Sequence, residues 1–85
     1  MNAENDNSSL PVMPLTMTLV GQQVTFAGVR NAGAGLMHRL AEMGLTPGEK
    51  LEIINRGNGP FIVSVKGSRF VLGRGMVHRI LVRPE

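Results

Sequence analysis

Apolar and polar residues alternate in several short runs along the chain. Alternation with a period of two is typical of strands that bury one face. The clearest run has Phe61, Val63 and Val65 on one face and Ser64 and Lys66 among the residues of the other. The same pattern predicts strands over residues 23–29, 50–53, 61–66, 69–72 and 77–83.

A helical pattern interrupts the alternation after the first of these strands. Leu36, Leu40 and Met43 are spaced so that they share one face of a helix, which predicts a helix over residues 34–43. The glycine-rich bend at residues 31–35 lacks the Gly-Lys-Ser/Thr ending of a phosphate-binding loop. We therefore interpret this bend as a flexible lead into the helix.

The end of the helix has a strong local signature. Gly44 suits the left-handed position that follows a helix, and Leu45 can then pack back on Leu40. Residues 46–49 read Thr-Pro-Gly-Glu, which predicts a type II turn because proline fixes φ and glycine supplies a positive φ.

The spacing of the strands predicts the fold class. Gly67 and Ser68 separate two of the runs and predict a two-residue hairpin turn with glycine first. About five short strands, with one helix in the first long connection, favour a small barrel. We predict a mostly β fold, namely an SH3-like, partly open barrel with one inserted α-helix.

The first residues differ in composition from the rest. They are rich in Asn and Ser, and Pro11 and Pro14 interrupt any regular pattern. We predict a disordered N-terminal tail over residues 1–15 and one folded domain over residues 16–85. The tail is acidic where a secretion signal would be basic, and no apolar stretch follows it, so we expect a cytoplasmic protein.

Composition narrows the function classes. The chain has no cysteine, which excludes disulfides and thiolate metal sites. No run approaches the roughly 18 consecutive apolar residues of a membrane span, so we expect no direct membrane insertion. The net charge is +3, and every Lys and Arg lies from Arg30 onward, so the folded part favours acidic partners.

The titratable side chains form no catalytic pattern. His38 and Glu42 are four residues apart on the helix, where they could hold a metal ion or pair with each other. We expect His78, in the last predicted strand, to be half-buried. Ser64 and Ser68 have no histidine placed near them by the sequence. We predict a protein that is not an enzyme and that has no cofactor and no metal site.

The residues at the end of the helix carry a family resemblance. Residues 39–48 read Arg-Leu-Ala-Glu-Met-Gly-Leu-Thr-Pro-Gly. This run closely resembles the signature of the FeoA family, the ferrous iron transport protein A group. Weaker similarities at residues 59–62 and 80–82 occur in the family's order and extend the resemblance over about residues 16–82.

The resemblance implies both a fold and a partner. The fold is an SH3-like barrel with an inserted helix, and the partner is FeoB, a membrane ferrous-iron transporter with a cytoplasmic GTP-binding domain. The resemblance thus predicts a small adaptor that regulates ferrous iron uptake by binding FeoB. Directly after Leu72 the family usually has two basic residues. In this chain residues 73–76 read Gly-Arg-Gly-Met, so only Arg74 keeps the basic character there.

We predict that the partner binds mainly to the helix. Its methionines can fill the core or present an adaptable surface for a partner, and Arg39 adds a positive charge beside them. The sequence leaves the oligomeric state open. The predicted partner-binding residues are Met37, His38, Arg39, Glu42, Met43 and Arg74.

A small-barrel nucleic-acid-binding protein is the alternative function. Arginines on such a barrel could contact phosphates, and that binding would weaken steeply with salt. The chain has no Trp or Tyr to stack on bases, which makes a single-strand platform the weaker interpretation. The arginines concerned are Arg30, Arg39, Arg56, Arg69, Arg74, Arg79 and Arg83.

Overall fold

The alternating runs fold into a single antiparallel sheet. The computed structural model of the chain describes residues 11–85, and this part contains a six-stranded sheet with the order β1-β6-β2-β3-β4-β5. The strands are β1 (Met13–Pro14), β2 (Gln23–Val29), β3 (Lys50–Asn55), β4 (Phe61–Val65), β5 (Ser68–Leu72) and β6 (Ile80–Pro84). A 3₁₀ turn (Leu15–Met17), helix α1 (Ala34–Glu42) and the single-turn helix α2 (Arg74–Val77) connect them. The predicted mostly β fold with one inserted helix is confirmed.

Strand β2 curves the sheet towards a barrel. Its first residues pair with β3, from Gln23 to Thr25, and a longer stretch of it pairs with β6. The pairing with β6 shifts register between Phe26 and Gly28, where Gly28 has a φ of +153°. A bulge of this kind bends a strand and increases its twist, so β2 can serve two parts of the curved sheet.

The inward residues of the strands form the core. Alternation places Leu51 and Ile53 of β3, and Ile80 and Val82 of β6, on the buried face as the sequence predicts. Phe26 is fully buried, whereas the other two phenylalanines are half-buried and pack against the core. The buried apolar residues are Leu15, Val24, Phe26, Leu40, Leu45, Leu51, Ile53, Val63, Val65, Leu72, Val77, Ile80 and Val82.

The sheet and its core include residues that precede the predicted boundary at residue 16. Met13 and Pro14 pair with Val82 and Leu81 of β6, and Leu15 is buried in the core. Pro14, one of the two prolines that suggested a break, lies in the edge strand of the sheet, where a missing N–H is tolerated. Residues 1–10 of the predicted tail lie outside the described residues.

The predicted turn of the β4–β5 hairpin is shifted by one residue. Val65 pairs with Ser68, so Lys66 and Gly67 form the loop, and both have positive φ values, of 53° and 83°. Two positive φ values define a type I′ turn rather than the predicted glycine-first turn. The register of β4 against β5 determines the turn type. Lys66 Nζ then lies 3.5 Å from a carboxylate oxygen of Glu49.

The last predicted strand begins too early. Its first residue, Val77, ends helix α2, and β6 starts only at Ile80. A hydrogen bond of 3.1 Å from the Val77 N–H to the Gly73 carbonyl closes the helical turn. One turn is too short to produce a helical period in the sequence. His78 follows α2 and is exposed, so the prediction of a half-buried strand residue is wrong.

The predicted end of α1 is confirmed. Gly44 has a φ of +89°, its N–H donates to the Ala41 carbonyl at 2.9 Å, and the Leu45 N–H donates to the Leu40 carbonyl at 2.9 Å. These two bonds form a Schellman motif, and Leu40 and Leu45 are both fully buried in the core. The type II turn follows, with Gly48 at φ +99° and a bond from the Glu49 N–H to the Thr46 carbonyl.

Gly44→Val should lower the free energy of unfolding by about 1–2 kcal/mol, because a β-branched residue is strained in the left-handed region. The added Cβ would meet Lys66 and Val65 only at 3.8 and 3.9 Å, so backbone strain rather than collision causes the loss. Gly44→Asn is the control, since asparagine tolerates this conformation better. The measurement is urea unfolding monitored by circular dichroism. Equal unfolding midpoints for the unmodified protein and Gly44→Val would contradict the cap.

Candidate functional site

Helix α1 rests on the barrel through one side. Leu40 is its one buried residue, and Leu36 and Met37 are half-buried against the core. Met43, just after the helix, packs there as well. The two methionines of the predicted binding set therefore give much of their surface to the core, which agrees with the core-filling interpretation.

His38 and Glu42 form a pair on the exposed side of α1. The distance from His38 Nε2 to a carboxylate oxygen of Glu42 is 3.3 Å, and their side chains are 80% and 67% exposed. This geometry matches an ordinary surface pair at i and i+4. Between residues 11 and 85 no group of three His, Cys, Asp or Glu residues is close enough to hold a metal ion.

A cleft opens beside the first turns of α1. Its volume is about 410 Å³, within the range of roughly 300–1,000 Å³ that ligand sites occupy. Leu36 of α1 and Met76 of α2 supply its largest apolar side chains, and Arg39 and Arg79 are the charged residues that line it. The complete lining consists of Ala32, Gly33, Gly35, Leu36, Arg39, Met76 and Arg79.

Reciprocal hydrogen bonds hold the two sides of the cleft together. The Arg30 N–H donates to the Arg79 carbonyl at 2.9 Å, and Arg30 Nε donates to the His78 carbonyl at 3.1 Å. In return, the Arg79 guanidinium donates to the carbonyl of Asn31, which has a φ of +50°. These contacts tie the bend before α1 to the segment after α2.

The structure brings only part of the predicted binding set to this cleft. Arg39 lines it, and Arg74 lies on α2 without lining it. Leu36, Met76 and Arg79 also line the cleft but were not in the predicted partner-binding set, and Arg79 was named only among the arginines of the nucleic-acid alternative. Arg79 fell in a predicted strand, and its place in the cleft depends on α2 and on contacts with residues far away in the sequence. No local pattern could have identified it.

A second surface feature is a set of exposed apolar side chains. Met17, Leu19 and Val20 precede β2 and are 67%, 69% and 59% exposed. Hydrogen bonds fix this segment: Arg56 donates to the Thr18 carbonyl, and the Gly21 N–H donates to the Ile53 carbonyl at 2.7 Å. The segment does not line the cleft, so it is a separate surface that a partner could contact.

Residues 11–85 contain no helix that is long and apolar enough to cross a membrane.

Comparisons with known proteins identify the family of this chain. The FeoA domain model matches residues 13–84. A protein of Methanocaldococcus jannaschii named Fe(2+) transport protein A is 42% identical over 69 residues, which are 81% of this chain and 83% of that protein. The crystal structure of an iron uptake regulatory protein, FeoA, has a TM-score of 0.77 at 33% identity and covers 88% of this chain and 100% of its own.

A further FeoA structure identifies the fold type. The FeoA of Stenotrophomonas maltophilia, in complex with zinc, has a TM-score of 0.69 at 25% identity. The similarity covers 82% of this chain and 88% of that one, which is described as a procaryotic SH3 domain protein. The predicted SH3-like class is therefore confirmed. The extent of the family match and the identity to the archaeal relative show that the chain belongs to the FeoA family.

Proposed function

We propose that the chain is a small cytoplasmic regulator of ferrous iron uptake that binds the cytoplasmic part of a FeoB-type transporter. The observation that carries this proposal is the extent of the family match. Residues 13–84 include every strand and helix described above, so the whole folded unit is a FeoA domain. The archaeal relative is named for Fe(2+) transport, and the Stenotrophomonas protein has been discussed as a ferrous iron transport activating factor.

In this proposal the chain acts by binding rather than by catalysis. A regulator of this kind needs a preformed surface and no cofactor. A cleft whose sides are joined by hydrogen bonds from Arg30 and Arg79 suits that role, because little ordering is required when a partner binds. The proposed partner also has a GTP-binding domain, which the cleft could contact. The proposal gives no arginine of this chain a role in GTP hydrolysis.

The proposed docking surface is the exposed side of α1 together with the cleft. Arg39 lies where the two meet, and His38 and Glu42 lie on the exposed side. Arg74 on α2 would contribute at the edge of this surface. The half-buried Met37 and Met43 would support the surface by packing against the core. Such a surface combines a small apolar centre with charged surroundings, as is common where two proteins associate reversibly.

Arg39→Glu should weaken binding to the cytoplasmic GTP-binding region of FeoB by about tenfold or more, because it replaces an attraction with a repulsion. The measurement is calorimetric titration of the purified chain into that region, in its nucleotide-free, GDP and GTP states. Arg69→Glu is the matched control: it makes the same change of charge at an exposed residue of β5, away from the cleft.

The same titrations can contradict the proposal in two ways. If the unmodified chain binds that region in no nucleotide state, the proposed role there is wrong. If Arg39→Glu and Arg69→Glu weaken binding equally, the helix is not the docking surface, and Leu19→Ser then tests the exposed segment before β2. Tight binding to duplex DNA or RNA that falls steeply with salt would favour the nucleic-acid alternative instead.

A further inference from the structure

The charge on the cleft is not balanced within the described chain. Its charged lining residues are both arginines, and none of its lining residues is acidic. Three carboxylates of the described residues have other partners: Glu42 pairs with His38, Glu49 with Lys66 and Glu85 with Lys50. Among residues 11–85, the guanidinium of Arg39 has no hydrogen-bond or ion-pair partner.

Arg79 is already oriented by the fold. One of its guanidinium nitrogens donates to the Asn31 carbonyl, and its own carbonyl accepts the Arg30 N–H. A guanidinium has five N–H donors in a planar fork, so most of them remain for another acceptor. A carboxylate can accept two of these bonds in parallel, which is the stronger and more specific way for it to bind arginine.

The apolar part of the cleft limits which anions suit it. Leu36 and Met76 are half-buried and lie beside the arginines, while Ala32, Gly33 and Gly35 leave the opening unobstructed. A free phosphate would bind the arginines and leave the apolar surface of the cleft exposed to solvent. A peptide with an aliphatic side chain next to a carboxylate would use both, since burial of apolar area adds to the charged hydrogen bonds.

We propose that the cleft binds an acidic peptide segment of the partner, with carboxylates on Arg39 and Arg79 and a neighbouring aliphatic side chain on Leu36 and Met76. This inference rests on the proposed function, since it assigns the chemistry of the partner at the same surface. It commits to a protein segment, and the positive cleft selects against segments that are neutral or basic.

The test is an NMR titration of the full ¹⁵N-labelled chain with an acetylated, amidated peptide of alternating Glu and Leu. The control peptide has Gln in place of each Glu. We expect saturable shifts confined to residues 30–39 and 74–80 with the acidic peptide at millimolar concentration, and none with the Gln peptide. Arg39→Gln should weaken this binding about tenfold, whereas Arg69→Gln should leave it unchanged.

Three results would overturn the inference. They are the absence of saturable shifts, equal shifts with the Gln peptide, and binding of inorganic phosphate at the same residues as tightly as the acidic peptide. Failure here is distinguishable from failure of the proposed function. A chain that binds the peptide and no transporter refutes the function alone. If the unmodified chain binds the transporter but not the peptide, and Arg39→Gln binds the transporter equally well, the inference alone is refuted.

Discussion

Leu15→Ala should lower the free energy of unfolding by about 2–5 kcal/mol, the loss typical of a buried leucine replaced by alanine. Leu15 is 0% exposed and belongs to the core, although it lies in a short turn outside the main strands. Its carbonyl accepts hydrogen bonds from the Thr18 hydroxyl at 2.6 Å and from the Thr18 N–H at 3.1 Å. The truncation would leave a cavity beneath a turn that these bonds hold in place.

The measurement is urea unfolding followed by circular dichroism, because the chain has no Trp or Tyr to report by fluorescence. Met17→Ala is the matched control. Met17 lies in the same 3₁₀ turn but is 67% exposed, so its loss should stay within about 0.5 kcal/mol. If Leu15→Ala lowers the free energy of unfolding as little as Met17→Ala does, Leu15 does not contribute to the folded core. The boundary predicted at residue 16 would then be correct.

The N-terminal boundary shows which part of the fold local sequence cannot determine. Pro11 and Pro14 suggest disorder to a reader of the chain, yet Met13 and Pro14 pair with β6 at the opposite end of the sequence. A two-residue strand has no visible alternation, and its stability depends wholly on its partner. The same reason explains the hairpin: whether Lys66 or Gly67 comes first in the turn depends on the pairing of Val65 with Ser68.

Features encoded by a few neighbouring residues were predicted well. The cap at Gly44 and the type II turn at residues 46–49 both follow from backbone rules that act within six residues or so. The cleft is different, because its arginines are far apart in the sequence and are brought together by α2 and the bonds around Arg79. Of the residues that line the cleft, only Arg39 was in the predicted binding set, and it was chosen for its positive charge beside the methionines of the helix.

Leu40→Ala should also lower the free energy of unfolding by about 2–5 kcal/mol, and its importance extends to the site. Leu40 is 0% exposed and is the one residue of α1 that is buried. It therefore fixes the helix on the barrel through the core, and its carbonyl accepts the hydrogen bond from the Leu45 N–H after the cap. Its neighbour Arg39 points to a different side, since successive residues of a helix are rotated by about 100°.

His38→Ala is the control on the same helix, because an exposed side chain should contribute no more than about 0.5 kcal/mol. Both variants are to be compared by urea unfolding, and the peptide titration then repeated on Leu40→Ala under conditions where it stays folded. If Leu40 is the anchor, the stability falls and the shifts around Arg39 weaken together, because a loosened helix no longer holds the arginine at the cleft. If Leu40→Ala unfolds like His38→Ala, the helix is not docked in solution. A cleft formed by its first turns would then not be preorganised, and both proposals for that surface would lose their structural basis.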